Sequence, residues 1–184
     1  FVEKSLNLRK NFPPYVELFL DLLIHEKKYT VAKKYIKKVW VQNPHPDYKD
    51  SIFLLAKHLK SNNLELANYI TNSSINLEAS KILLVEASIN DKKWDNAKKN
   101  IIDLIDIEPS KEICLLMAEI EKGESNNIQK VNSWTLRSRN GNLNNIWVCK
   151  LSNKSQLRWS SLAESGYFNS LEWRKPTMLN ITSV

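Results

Sequence analysis

The residues of this 184-residue chain that could do chemistry are few: three histidines, two cysteines and a scatter of carboxylates. His25 and His58 fall near the ends of two helical segments at comparable places, so a metal ion or a haem iron shared between them is one possible use. Neither has a cysteine or a carboxylate box beside it, and lone histidines of this kind are ordinary surface residues. His45 stands in Pro44-His45-Pro46 and reads as an interhelix turn that fixes the chain direction. Cys114 sits inside an apolar helical run, as a core thiol would. With Cys149 it cannot make a disulfide framework, and this usage suits a reducing compartment. The chain has no glycine-rich phosphate loop, no Gly-x-Ser-x-Gly elbow and no His-Glu-x-x-His helix. Glu17, Asp21 and Glu86 lie on separate predicted helices and read as groove residues rather than an acid/base pair. The expectation is a protein that binds without catalysing, with no metal and no cofactor of its own.

The elements that carry these residues are predicted to be helices. Only 3 glycines occur in the whole chain, whereas sandwiches, barrels and phosphate-cradling loops use glycine at tight turns. No stretch approaches the roughly 18 apolar residues of a membrane span; the greasiest, 16–24, is broken by Glu17 and Asp21. The chain opens without a methionine, inside an expected helix over Phe1 to Lys10, as a piece of a longer protein would.

A repeat decides the fold class. A first helix over Tyr15 to Glu26 carries Val16, Phe19, Leu20 and Leu23 on one stripe. A Lys27-Lys28 turn follows, then Tyr29-x-x-Ala32 opens a second helix that Pro44 ends. The segment from Leu77 to Pro109 does the same, with the Asp91-Lys92-Lys93 turn and Trp94-x-x-Ala97. Alanine and proline follow the aromatic at offsets of 3 and 15 residues in both copies. Between them, Ile52 to Lys60 and Leu64-x-x-Ala67 repeat the theme with leucine in the aromatic's place. Ile113 to Glu121, Ile128-x-x-Val131 and Trp134 make a more worn fourth copy. The small alanine lets two antiparallel helices approach, the aromatic fills the gap beside it, and proline stops the second helix. One pair cannot bury its apolar face alone, so pairs must stack. The predicted fold is all-α: a tetratricopeptide-type solenoid of about three and a half to four units over 1–140, followed by a small Trp-rich cap over 141–184.

First helices line the concave face of such a solenoid. The candidate partner-binding residues are therefore Glu17, Asp21, His25, Lys49, Lys60, Glu86 and Asn90. The formal charge of +7 permits contact with nucleic acid, but the lysines are spread at helical spacing, as on a solvated face, with acids interspersed. Nucleic acid is thus disfavoured against a protein or peptide partner.

The tail after Ser138 has a different texture. Arg139-Asn140-Gly141-Asn142 is a turn-rich break, and the rest holds three of the six tryptophans, Trp147, Trp159 and Trp173. They read as a cap over the open end of the solenoid, which would otherwise expose an apolar face; the competing reading is an aromatic patch that grips a partner or stacks on bases.

Ile113-Cys114-Leu115-Leu116-Met117-Ala118-Glu119-Ile120-Glu121, then Trp134, Trp147-Val148, Trp159 and Leu171-Glu172-Trp173-Arg174-Lys175-Pro176, together resemble the C-terminal half of the HemY family. Asp91-Lys92-Lys93-Trp94-Asp95-Asn96-Ala97 fits as well, and the resemblance covers roughly residues 40–176. It implies a soluble part of an inner-membrane protein, on the cytoplasmic side, linked to haem or tetrapyrrole biosynthesis, with no established catalytic residues and a membrane anchor ahead of this segment. The implied partner is a tetrapyrrole-pathway or membrane component. The alternatives are a direct haem or porphyrin carrier, using a pocket near His25 or His58, and a general envelope-assembly adaptor. Some tails of this family carry a metal knuckle of two Cys-x-x-Cys pairs. Here only Cys149 remains, with Ser152, Leu162 and Ser165 at the other positions, and one thiolate cannot hold zinc.

Overall fold

The computed structural model describes residues 12–105 and 109–177, so the helix expected over Phe1 to Lys10 lies outside the described residues. Eight α-helices are present among them: α1 Pro13–His25, α2 Tyr29–Gln42, α3 Lys49–His58, α4 Asn63–Thr71, α5 Glu78–Asn90, α6 Trp94–Ile101, α7 Lys111–Ser125 and α8 Ile128–Arg139. Pro13 and Pro14 open α1, where a missing N–H costs nothing. Asn62, Ser110 and Asn127 cap α4, α7 and α8 by accepting the backbone N–H of Glu65, Ile113 and Lys130.

Each helix packs on the next in sequence, and α1 on α3, α2 on α4 and α5 on α7 also touch. The turns within the pairs share one device. Lys27, Lys60, Lys92 and Asn126 all take positive φ, at 59°, 55°, 56° and 50°. In the first three, the next residue's N–H reaches back to the carbonyl five residues earlier: Lys28 to Leu23 at 2.8 Å, Ser61 to Ala56 at 3.0 Å and Lys93 to Ser88 at 2.8 Å. These are helix ends of the Schellman kind, with lysine in the left-handed position that glycine usually fills. The scarcity of glycine is thus met by lysines in a less favoured conformation.

Ala32, Ala67 and Ala97 are wholly buried, which lets the paired helices close on one another. The aromatic that precedes Ala97 is seated against Gly123 of α7, where a Cβ would lie 2.2 Å from the Trp94 ring. Buried side chains of α1–α5 form one cluster, centred on Leu20, Ile36, Ile52 and Leu83. A second joins Val85, Ala97 and Ile101 to Ile113, Met117 and Ile120.

The expectation of an all-α chain fails in the tail. β1 Ile146–Cys149, β2 Ser155–Gln156 and β3 Leu171–Arg174 form an antiparallel sheet in the order β2-β1-β3, with Trp147 opposite Trp173 and Cys149 opposite Leu171. The tail does not lie where an end cap would. From α8 it returns past the start of α7, where the Lys111 N–H donates to the Asn142 carbonyl at 3.0 Å. Gly141 makes that approach possible, since a Cβ there would sit 2.8 Å from the Lys111 nitrogen. It then reaches the loop between α2 and α3, and finally Phe12 ahead of α1, which meets Trp147 and Trp159 edge-on at 6.3 and 5.5 Å. Trp147 and Trp159 thus pack on Phe12 ahead of α1, and Trp147 and Trp173 on His45 ahead of α3. Ile128 and Leu136 of α8, the last helix, remain 67% and 56% exposed.

Candidate functional site

Between the returning tail and the helices lies a groove of about 1210 Å³. One wall is built from α3, α5 and α7, which contribute Lys49, Asp50, Glu78, Glu86, Glu112 and Glu119. The other wall is the tail, with Asn144, Leu157, Arg158 and Trp173. Glu78 and Glu86 are 8 residues apart on α5, Glu112 and Glu119 are 7 apart on α7, and both spacings put the two carboxylates on one helix face. Lys49 Nζ donates to Glu86 Oε1 at 2.6 Å, and Asn144 Nδ2 donates to Glu112 Oε2 at 3.0 Å.

Electrostatics within this wall are strained toward the acid. Burial, then the charges of Asp50 and Glu119, hold the Glu86 carboxyl above its ordinary range against the pull of Lys49. Glu112 is likewise raised by burial, then by Glu86 and Glu78. Glu78 and Glu119 have no ion-pair or hydrogen-bond partner for their carboxylates among the described residues. Asp50, Glu78 and Glu112 sit in first turns, where the helix dipole favours an acid anyway. Glu86 and Glu119 are two turns further in, where no such preference acts.

A second, smaller cavity of about 650 Å³ opens between α1 and α3, lined by Glu17, Asp21, His25, Tyr29, His58 and Arg158 among others. Here Ser51 Oγ donates to Asp21 Oδ1 at 2.5 Å. The imidazole of His58 stacks on Tyr29, with ring centres 4.9 Å apart and planes 11° from parallel. His25 and His58 thus line one cavity, though no group of three or more metal-ligating side chains occurs among the described residues.

Arg158 divides the two spaces. Its Nη1 donates to Glu17 Oε1 at 3.1 Å and its Nη2 to Asp50 Oδ2 at 2.6 Å. Glu17 is nevertheless held above the ordinary carboxylate range, by burial first and by Asp47 next. Beside this clasp, His45 is buried against Trp173, Trp147 and Tyr48, at ring distances of 4.4, 5.7 and 5.7 Å. Its Nδ1 accepts the Asp47 N–H at 3.2 Å, which leaves the proton on Nε2, and Nε2 has no partner among the described residues.

Of the groove residues expected from sequence, Lys49 and Glu86 pair on one wall of the large groove, while Glu17, Asp21 and His25 line the small one. The other two line neither groove. Lys60 is the left-handed residue between α3 and α4, and Asn90, the last residue of α5, accepts from Asn63 Nδ2 at 2.9 Å. The next residue, Asp91, ties successive pairs together by accepting the Leu64 N–H at 2.8 Å. Asp50, Glu112, Glu119 and Arg158 went unnoticed in the sequence. The 7- and 8-residue spacings of the glutamates were the available signal, whereas nothing in the sequence pairs Arg158 with Glu17, 141 residues away.

Cys149 Sγ donates to Ser170 Oγ at 3.2 Å, and the hydroxyls of Ser152 and Ser165 also favour its thiolate. Ser165 Oγ is buried and has no hydrogen-bond partner among the described residues. Burial pushes the thiol up, but the three hydroxyls and the Ser152 backbone together bring it down to about 6.

No family model, curated protein or solved structure matches this chain. Function therefore rests on the residues themselves. No helix among the described residues is long and apolar enough to cross a membrane.

Proposed function

We propose that this chain is a non-catalytic scaffold of the tetratricopeptide class that holds a protein or peptide segment in the groove along α3, α5 and α7. The observation that carries the reading is the groove's unspent contact capacity. Leu77, Leu115 and Leu157 are 43%, 44% and 83% exposed on its lining, beside the unpaired carboxylates of Glu78 and Glu119. Exposed leucines and unpaired acids in one concavity are contacts awaiting a partner. The tetratricopeptide assignment is supported by the recurring left-handed turns, the buried alanines at +3 from Tyr29, Leu64 and Trp94, and the contacts of helices with the next but one.

A photo-cross-linking side chain at position 115, introduced into the intact protein in cells, is expected to capture a discrete partner. The same group at Lys38, which lines neither groove, should not capture it. Identical products from both positions would refute the scaffold reading.

The tail's ordered tryptophans extend the proposal to a role beside the inner membrane, on its cytoplasmic side, in haem or tetrapyrrole synthesis, as in the HemY family they resemble. The carrier alternative draws on one observation of its own: His25, His58 and Tyr29 share a cavity whose volume falls in the range of small-molecule pockets, roughly 300–1000 Å³. Titration with haem and protoporphyrin separates the two. A saturable one-to-one absorbance change abolished by His25→Ala or His58→Ala would favour the carrier.

A further inference from the structure

We infer that the segment held in the large groove is cationic and apolar by turns: an extended stretch in which lysine or arginine alternates with leucine-like residues. This rests on the scaffold reading above and names its partner's chemistry.

The charge of the groove is opposite to that of the molecule. The chain carries a formal +7, yet the groove lining holds seven carboxylates against five cations. Three of those cations are already engaged: Lys49 with Glu86, Lys81 with Asp103, and Arg158 with Asp50 and Glu17. Among the described residues Glu78 and Glu119 have no ion-pair partner, and Glu112 has the Asn144 amide and a Lys49 ammonium already bonded to Glu86. Acids this close repel one another, and their burial adds to the cost; an incoming cationic side chain relieves both. An acid-lined concavity could instead hold a metal ion, but no group of three or more side chains placed to ligate one occurs among the described residues. The exposed Leu77, Leu115 and Leu157 on the same surface call for apolar side chains between the cations.

The chain itself shows the chemistry at the groove's edge. Arg158, from a segment running along the helix starts, places its guanidinium between two carboxylates of different helices, α1 and α3. A partner that continues this line would present its cations to Glu112, Glu119 and Glu78 in the same way. An acidic or neutral segment would leave those carboxylates unpaired.

The test uses three labelled synthetic peptides of equal length, about 12 residues at ~3.3 Å each when extended, alternating Leu with Lys, with Glu or with Ser. Binding to the whole chain is followed by fluorescence polarisation, alongside the Glu112→Gln/Glu119→Gln variant, whose fold is checked by circular dichroism. The Lys/Leu peptide should bind at least about tenfold more tightly than the other two, a difference of about 1.4 kcal/mol. It should lose about as much in the double variant. The long-range field of a +7 chain works against a cationic ligand, so such a preference must arise locally. Equal binding of the three peptides, a preference for Glu/Leu, or indifference to the double substitution would overturn the inference and leave the scaffold reading intact. Absence of binding by all three would also overturn it, and the scaffold reading would then be judged by the cross-link from position 115.

Discussion

The indole Nε1 of Trp147 donates to Asp47 Oδ2 at 2.9 Å, joining residues 100 apart in sequence. Asp47 lies in the loop between α2 and α3, and Trp147 in the middle of β1, so this bond fastens the tail to the helices. The ring is 2% exposed and sits among Phe12, His45 and Trp173. Trp147→Ala is expected to cost about 3–5 kcal/mol, as for other buried aromatics. Trp147→Phe keeps most of the packing but leaves Asp47 without its donor, at about 1–3 kcal/mol. Urea unfolding gives both numbers, and limited proteolysis shows where the chain opens: cleavage should begin after residue 139. A loss below 1 kcal/mol for the alanine variant would mean that the tail is not anchored here.

Trp94 and Gly123 interlock across α6 and α7, and a methyl group at 123 would overlap the indole. Gly123→Ala should therefore destabilise by about 1–3 kcal/mol, although alanine is the better helix former by about 1 kcal/mol. In a Trp94→Leu background the same substitution should become neutral or stabilising. Additive effects in this double-mutant cycle would show that the ring does not rest on the glycine.

Lys27, Lys60 and Lys92 hold a conformation that costs an L-residue about 1–2 kcal/mol. Glycine adopts it freely but gives back part of the gain through a more flexible unfolded chain. Each Lys→Gly substitution should raise stability by roughly 0.5–1 kcal/mol, and the sum for Lys60 and Lys92 should depart from additivity, because Asn63 and Leu64 bond to Asn90 and Asp91 between those two turns. Thermal melts of the single and triple variants suffice; a lowered melting temperature would mean that the lysine side chains do more for these turns than their backbones suggest.

The helices were legible because their signals are local. Alanine three residues after an aromatic, and a proline twelve beyond it, mark a helix pair wherever they recur, and the boundaries at Tyr29 and Trp94 coincide with helix starts. The strands were not legible. β2 is two residues long and β1 four, too short for alternation to be read, and their pairing is set by partners elsewhere in the tail. The tail's destination was hidden for a related reason: tryptophans announce that something apolar must be covered, but not which surface. Phe12, His45 and Asp47 receive them, and none of the three carries a pattern that points to residue 147. The role of Lys60 was misjudged because helical phase places it near a groove, whereas the backbone at that point has already left the helix.

Ser152 and Ser165 converge on Cys149, as ligands of a knuckle would. Ser152→Cys, Leu162→Cys and Ser165→Cys together should create a four-thiolate site. One equivalent of cobalt(II) should then give the absorption bands of tetrahedral thiolate coordination, and zinc should displace it. The parent chain, with one thiol, should give none. Failure of the triple variant to bind either metal while still folded would show that these four positions do not converge as metal ligands must.

His45 gives the tail junction a pH dependence whose sign follows from its surroundings. Burial lowers its pKa below the ordinary 6.5, while the nearby Asp47 carboxylate works weakly the other way. The unfolded chain therefore binds the proton more tightly than the folded one, and stability falls as pH drops through 6.5. The loss stops growing once pH is below the depressed folded value. Glu17, Glu86 and Glu112 act oppositely: their pKa values are raised above 4.5, so acidification through those raised values relieves buried charge. His45→Asn separates the contributions, because asparagine offers an acceptor for the Asp47 N–H and does not titrate. Between pH 7.5 and 5.5 the urea midpoint of the parent chain should fall further than that of His45→Asn, with proteolysis of the tail accelerating only in the parent. Parallel midpoints over that range would show that His45 is protonated as easily in the fold as out of it, and that the tail junction is not a dry site.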